Sequence, residues 1–191
     1  MRPASGDSDA ALAARAVDGD DQAFSLLVRR HKNGLYGFVR RYVGDGDPAV
    51  EVIQETFVAA WRALRRYDPS RPFGVWIRAI ALNKCRDRAR RAAVRRLVFA
   101  DRDADSPEAR HQPDPSPDAE SSMLQGQRLA ALERSIAKLP PKLKEPVLLT
   151  YFGELSQQQA AELLGISVKA VETRLYRARH RLAELLRLEP E

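Results

Sequence analysis

The stretch Ser156-Gln157-Gln158-Gln159-Ala160-Ala161-Glu162-Leu163-Leu164-Gly165-Ile166-Ser167-Val168-Lys169-Ala170-Val171 contains two helix starts and one helix stop. Ser156 with Gln159 three residues on has the form of a capping box, each side chain serving the other's backbone N–H. The helix it opens is short, with Ala160, Ala161, Leu163 and Leu164 turned inward. Gly165 supplies the permissive backbone of a tight turn, Ile166 plugs the core, and Ser167 is a suitable N-cap for the next helix. Small Ala161 lets two helices approach, Gly165 makes the corner, and Val171 fills the angle. That spacing is the one a helix-turn-helix needs.

The second helix of the pair has a divided face. Val168, Val171, Leu175, Ala178, Leu182 and Leu185 recur at three- and four-residue steps and face the core. Lys169, Glu172, Thr173, Tyr176, Arg177 and His180 fall opposite, flanked by Arg174, Arg179 and Arg181. A basic helix whose first turn projects from a helix-turn-helix suits the major groove. There Glu172 can accept from a cytosine amino group, and Arg or Lys can pair with guanine or phosphate.

Upstream the pattern is helical throughout, and no alternating strand emerges. From Ala23 to about Gly44, Phe24, Leu27, Val28, Leu35, Phe38, Val39 and Tyr42 mark one amphipathic helix. A second is expected from Ala49 to Arg66, with Val50, Ile53, Phe57, Trp61 and Leu64 as its stripe. Residues 67–72 form a loop with two prolines. A third helix starts near Phe73 and ends in a dense run of arginines, Arg86 to Arg96. Periodicity resumes at Leu124, Leu129, Leu132, Ile136 and Leu139 and stops at Pro140-Pro141. Val147, Leu148, Tyr151 and Phe152 mark a further helix that either starts near Pro146 or is kinked there.

The 191 residues carry a net charge of +6, unevenly spread. Residues 1–22 sum to −3, 23–100 to +11, 101–122 to −5 and 123–191 to +3. The expectation is an all-α chain. A polar arm at 1–22, mobile and leading into the first helix, precedes a helical domain at 23–100. An acidic, proline-rich linker at 101–122, too poor in apolar surface to fold, leads to a helix-turn-helix domain at 123–188. Two basic modules on a flexible tether would move independently and bind polyanions.

Cys85 is the only cysteine, so no internal disulfide or Cys-rich metal site is possible, which fits a reducing cytoplasm. Residues 1–14 lack a basic segment followed by an apolar core, so no signal peptide is expected, and no apolar run is long enough to insert in a bilayer. His31, His111 and His180 have no ligand spacing, and no Gly-rich phosphate loop occurs. Neither a metal, a cofactor nor an enzymatic activity is therefore expected.

Residues 23–186 resemble the extracytoplasmic-function sigma factors, two-domain members of the sigma-70 family. Asp47-Pro48-Ala49-Val50-Glu51-Val52-Ile53-Gln54-Glu55-Thr56-Phe57-Val58-Ala59-Ala60-Trp61 is similar to region 2.2. Arg71-Pro72-Phe73-Gly74-Val75-Trp76-Ile77-Arg78-Ala79-Ile80-Ala81-Leu82-Asn83-Lys84 is similar to regions 2.3 and 2.4, and Leu139 to Leu182 to regions 4.1 and 4.2. The resemblance implies a sigma region 2 bundle and a sigma region 4 helix-turn-helix. It also implies three partners: core RNA polymerase, promoter DNA, and an anti-sigma factor wedged between the domains.

Polymerase would meet Asp47, Glu51, Gln54, Glu55 and Trp61, although Phe57 and Trp61 better suit the protein's own core and Gln54 and Glu55 the partner surface. The −10 element would meet Tyr67, Ser70, Arg71, Phe73, Arg78 and Asn83, with Lys84, Arg86 and Arg88 on phosphates. The −35 element would meet Ser167, Lys169, Glu172, Thr173, Arg174, Tyr176, Arg177 and Arg179. Many relatives carry Lys or Arg where Glu172 stands, which leaves the preferred −35 sequence open. Gln157–Gln159 also replaces commoner aromatic and acidic residues. Residues 167–172 are similar to members that control metal-resistance genes.

Overall fold

The computed structural model describes residues 7–44, 46–98 and 119–188, and among these every regular element is a helix. In the first half α1 (Asp9–Val17), α2 (Asp21–Val43), α3 (Asp47–Ala63) and α4 (Phe73–Val98) pack as a bundle, with a 3₁₀ turn at Leu64–Arg66 closing α3. Their shared core contains Leu12, Leu27, Leu35, Phe38, Val39, Phe73, Ile77 and Leu82, all buried. In the second half come α5 (Ala119–Ala137), α6 (Pro141–Val147), a π-helical turn (Leu148–Phe152), α7 (Gln157–Leu164) and α8 (Val168–Leu188).

The N-terminal segment differs from the mobile arm expected of it. Ser8 caps α1 by accepting from the Ala11 N–H at 3.2 Å, and Leu12, Ala13 and Ala16 are buried against α2. Two polar ties hold α1 in place. Arg15 donates to Asp20, the N-cap of α2, at 3.0 and 2.6 Å, and Asp9 pairs with His31 at 2.7 Å and Arg30 at 2.9 Å.

α3 starts with Pro48 in its first turn, where the missing N–H costs nothing. Its buried stripe is Ala49, Val52, Ile53, Thr56, Phe57 and Ala60, and buried Thr56 donates to the Val52 carbonyl at 2.6 Å. Val50 and Trp61, assigned to that stripe from periodicity, are exposed instead. Leu129 on α5 is likewise exposed.

Pro146 lies inside α6, where it cannot donate to the Lys142 carbonyl. The chain relaxes into the π turn immediately afterwards, the local widening that such a lost bond permits. Gly153 ends the turn because a Cβ there would lie 2.6 Å from the Leu149 carbonyl oxygen.

The expected independence of the two domains gives way to a shared interface. Ile136, Leu148, Leu149, Leu155 and Ala160 of the second half join the buried apolar cluster of the first. The smaller cluster of Leu139, Val147, Ala161, Val171, Leu175 and Ala178 belongs to the helix-turn-helix itself. Of the expected linker, residues 101–118 lie outside the described residues, whereas Ala119 already opens α5.

Candidate nucleic-acid interface

The helix-turn-helix is built from the local chemistry read in its sequence. Gln159 N–H donates to Ser156 Oγ at 3.1 Å and Ser156 N–H to Gln159 Oε1 at 3.0 Å, completing the capping box. Gly165 is left-handed at φ 67°, ψ 36°. Ser167 then caps α8, its Oγ accepting from the Ala170 N–H at 3.1 Å. Val171, Leu175 and Ala178 are buried, which fixes the rotation of α8 and turns the opposite face outward.

On that face Ser167, Lys169, Glu172, Thr173, Tyr176, Arg177 and Arg179 are all exposed, with Arg174 partly covered at the edge. Lys169 and Glu172 form an ion pair at 3.2 Å, and Thr173 donates to the Lys169 carbonyl at 2.8 Å. Tyr176 is 58% exposed and packs edge-on to His180 at 4.4 Å. Glu172 thus stands beside Lys169, and the pair offers both an acceptor and a donor on the exposed face.

The second candidate surface lies where α3 runs into α4. Residues 67–72 form a compact turn: Ser70 N–H donates to Asp68 Oδ1 at 2.9 Å, and Tyr67 O–H donates to the Arg71 carbonyl at 2.6 Å. The Ser70 hydrogen bonds and nearby Arg71 hold the Asp68 carboxyl below the usual range, so it keeps its charge. Beneath the turn Phe73 packs against His31, Tyr67 and Trp76 at centroid distances of 5.2, 5.4 and 5.3 Å. Phe73 is 1% exposed, so it supports the turn from below and does not present a face to DNA, correcting its assignment as a contact.

Tyr67 is partly buried, Ser70, Arg71 and Asn83 are exposed, and Arg78 is largely covered. Arg78 donates to the Gly74 carbonyl at 3.0 Å within α4, its guanidinium lies close to Gly34 of α2, and burial lowers its pKa.

The three basic residues of α4 assigned to phosphates each have an acidic partner in the fold. Lys84 pairs with Glu55 at 3.5 Å, Arg88 with Glu51 at 2.6 Å, and Arg86 with Glu145 of α6. Two of these acids are ones assigned to polymerase, so the two candidate surfaces meet along the α3–α4 seam. Asp47, Glu51, Gln54 and Glu55 are exposed there, and Trp61 is 41% exposed, edge-on to Phe24 at 4.8 Å. Phe57 belongs to the core and Trp61 to the surface.

Sequence reasoning missed a set of polar contacts between the two halves. Glu145, 6% exposed, accepts from Arg86 at 2.8 and 2.6 Å and from the Tyr42 hydroxyl at 3.1 Å. Glu133 pairs with Arg41 at 2.9 Å and with Arg40, and the Arg41 guanidinium lies 4.3 Å from the Phe152 ring centroid. Partners up to 103 positions apart leave no local signal. Among the described residues no group of His, Cys, Asp and Glu is placed to hold a metal.

Comparison with known proteins fits this architecture. Residues 27–95 match the family described as Sigma-70 region 2, and residues 129–182 that described as Sigma-70, region 4. The RNA polymerase sigma factor CnrH of Cupriavidus metallidurans is 39% identical over 186 residues, spanning 97% of each chain. NccH of Alcaligenes xylosoxydans is 38% identical, covering 93% of this chain and 94% of the relative. The ECF RNA polymerase sigma-E factor of Escherichia coli is 31% identical over 90% of this chain and 91% of its own. The solved structure of CnrH with the cytosolic domain of CnrY superposes with a TM-score of 0.68 at 35% identity, covering 96% of this chain and all of that one. Region 2 and region 4 follow in order along a chain matched almost end to end, and this chain belongs to the sigma-70 family as an extracytoplasmic-function sigma factor.

Proposed function

We propose that this sigma factor binds core RNA polymerase and directs it to promoters through two reading surfaces. The observation that carries the proposal is the exposed face of α8, held by a complete capping box and turn and joined to a region 2 bundle. Region 4 reads the −35 element with Lys169, Glu172, Thr173, Tyr176 and Arg177, helped by Ser167, Arg174 and Arg179. Region 2 reads the −10 element with residues 67–72 and Asn83, while Lys84, Arg86 and Arg88 meet the phosphates. Asp47, Glu51, Gln54, Glu55 and Trp61 dock on the polymerase.

The protein catalyses no reaction of its own and works in the cytoplasm. No helix among the described residues is long and apolar enough to cross a membrane. Control by an anti-sigma factor, in response to stress, is supported by the solved complex of CnrH with the cytosolic domain of CnrY.

Run-off transcription with sigma-free core polymerase tests the proposal. The expected result is a promoter-specific transcript that appears only when this protein is added. A free-standing DNA-binding regulator would bind promoter duplex yet yield no such transcript, and that result would overturn the sigma assignment.

A further inference from the structure

Two cavities lie side by side between α1 and the end of α3. One, of about 220 Å³, is bounded by Ala13 and Ala14 of α1 and by Tyr67 and Pro69 of the turn. The other, of about 290 Å³, is bounded by Ala16, Gly19, Trp61 and Arg62. Val17, Leu64 and Arg65 line both, so they are compartments of one cleft that leads from residues 67–72 to Trp61. The α1 wall is firm: Leu12, Ala13 and Ala16 are buried, and Arg15 holds Asp20, the N-cap of α2. Cavities that hold drug-sized ligands run from about 300 to 1,000 Å³, so each compartment suits a fragment such as one nucleobase.

The rim of the cleft is basic. Arg62, Arg65 and Arg66 are exposed, and among the described residues none of them has an acidic partner. Lys84, Arg86 and Arg88 on α4 differ, each having one. Arg62 stands three and four positions before Arg65 and Arg66, a spacing at which like charges on a helical surface repel. The fold gains nothing from such a cluster, whereas an anion laid along the cleft would relieve it. A basic groove with an apolar floor and aromatic rings at both ends is suited to an unpaired strand, phosphates outside and bases within.

We propose that the cleft binds the unpaired nucleotide adjoining those read by residues 67–72, with Arg65 and Arg62 on its phosphates. The inference rests on the reading of residues 67–72 as a −10 contact. It adds Arg62, Arg65 and Asp18 to the DNA-binding surface and leads the strand past the −10 element towards Trp61. Asp18, the exposed C-cap of α1, lines the first compartment and its carboxylate offers only acceptors. Cytosine or adenine brings an amino donor to it, whereas thymine brings a carbonyl. The cleft therefore prefers an amino-bearing base to thymine.

The test uses the holoenzyme and labelled single strands copied from the non-template strand of a promoter that yields a run-off transcript. One strand holds the −10 bases alone, and others add a single cytosine or thymine at either end. Fluorescence anisotropy over a salt series reads affinity and its salt slope. Wild type should gain about tenfold from an added cytosine at one end and less from thymine. Arg65→Ala should lose that gain, and its slope of log affinity against log salt on the extended strand should flatten by about 0.7, one single-strand phosphate. Arg187→Ala, an equal change of charge at an exposed cation near the end of α8, should match wild type. Asp18→Asn should narrow the difference between cytosine and thymine.

Ala14→Leu adds bulk at an exposed helical position beside the first compartment without changing charge. It should abolish the gain while binding of the short strand stays intact, and it carries the test should Arg65→Ala lose helical content. No gain in wild type from a nucleotide added at either end would overturn the proposal. So would wild-type affinity and slope for Arg65→Ala on the extended strand, or a loss equal on short and extended strands. Absence of any promoter-specific transcript from wild type would instead overturn the sigma reading beneath it.

Discussion

Replacing Phe73 by alanine separates two roles that its position at the start of α4 would allow. As a contact to an unpaired base it would be dispensable for folding, and as a core residue it would not. The side chain is 1% exposed and has three aromatic neighbours at 5.2 to 5.4 Å. Truncating a fully buried Phe costs about 3–5 kcal/mol, and at about 2–4 °C per kcal/mol for a chain of this size the melting temperature should fall by about 6–20 °C. Tyr176→Ala, at a site 58% exposed, should change stability by less than about 0.5 kcal/mol. Thermal melts followed by far-ultraviolet circular dichroism give both values from the same preparations, and run-off transcription gives the functional counterpart. A Phe73→Ala protein that melts with wild type yet fails to transcribe would refute the core assignment and restore Phe73 to the DNA surface.

Ser156→Ala removes one half of the capping box that starts α7 and should lower stability by about 1 kcal/mol, read as a shift in urea midpoint without a change in slope. Arg177→Ala should weaken holoenzyme binding to a −35 duplex by about 1–3 kcal/mol while the melting temperature stays put; unchanged affinity by anisotropy would remove Arg177 from the reading face. Burial, and secondarily the charge of Glu145, push the Cys85 thiol up to about 12 from 9.0 and raise the Tyr42 phenol beside it. Both groups hold their protons more tightly folded than unfolded. Their contribution to stability is therefore complete below the unfolded values and is lost as pH rises through the folded ones. Urea midpoints should fall on the alkaline side of pH 9.0, and Cys85→Ala should make that fall shallower.

The helix-turn-helix was legible because its determinants are local. Ser156, Gln159, Gly165 and Ser167 each act on backbone atoms within a few residues, and each does in the structure what its chemistry requires. α1 was hidden because its buried face is mostly alanine. Leu12 is its one large side chain with no exposure, and a stripe that weak does not announce a helix, although Ser8 was a cap to find.

Periodicity found Ile53, Phe57 and Leu64 of the buried α3 stripe but added Val50 and Trp61, apolar residues on the solvent side. A pattern of apolar spacing cannot tell a core-facing row from a partner-facing one. The interface between the halves was illegible for another reason. Glu133, Glu145, Arg40, Arg41 and Arg86 read singly as solvated charge, and only the fold brings them together.

The π turn behind Pro146 amounts to one residue more than an α-helix needs to cover the same rise. That surplus sets phase: without it, everything past Leu148 would be rotated by about 100°. Val147 faces the helix-turn-helix core, Leu148 and Leu149 face region 2, and Phe152 reaches both clusters and sits under Arg41. The proline thus works as a gear between the two halves, and shortening this segment by a single residue would turn the side chains beyond it by about 100° away from their neighbours.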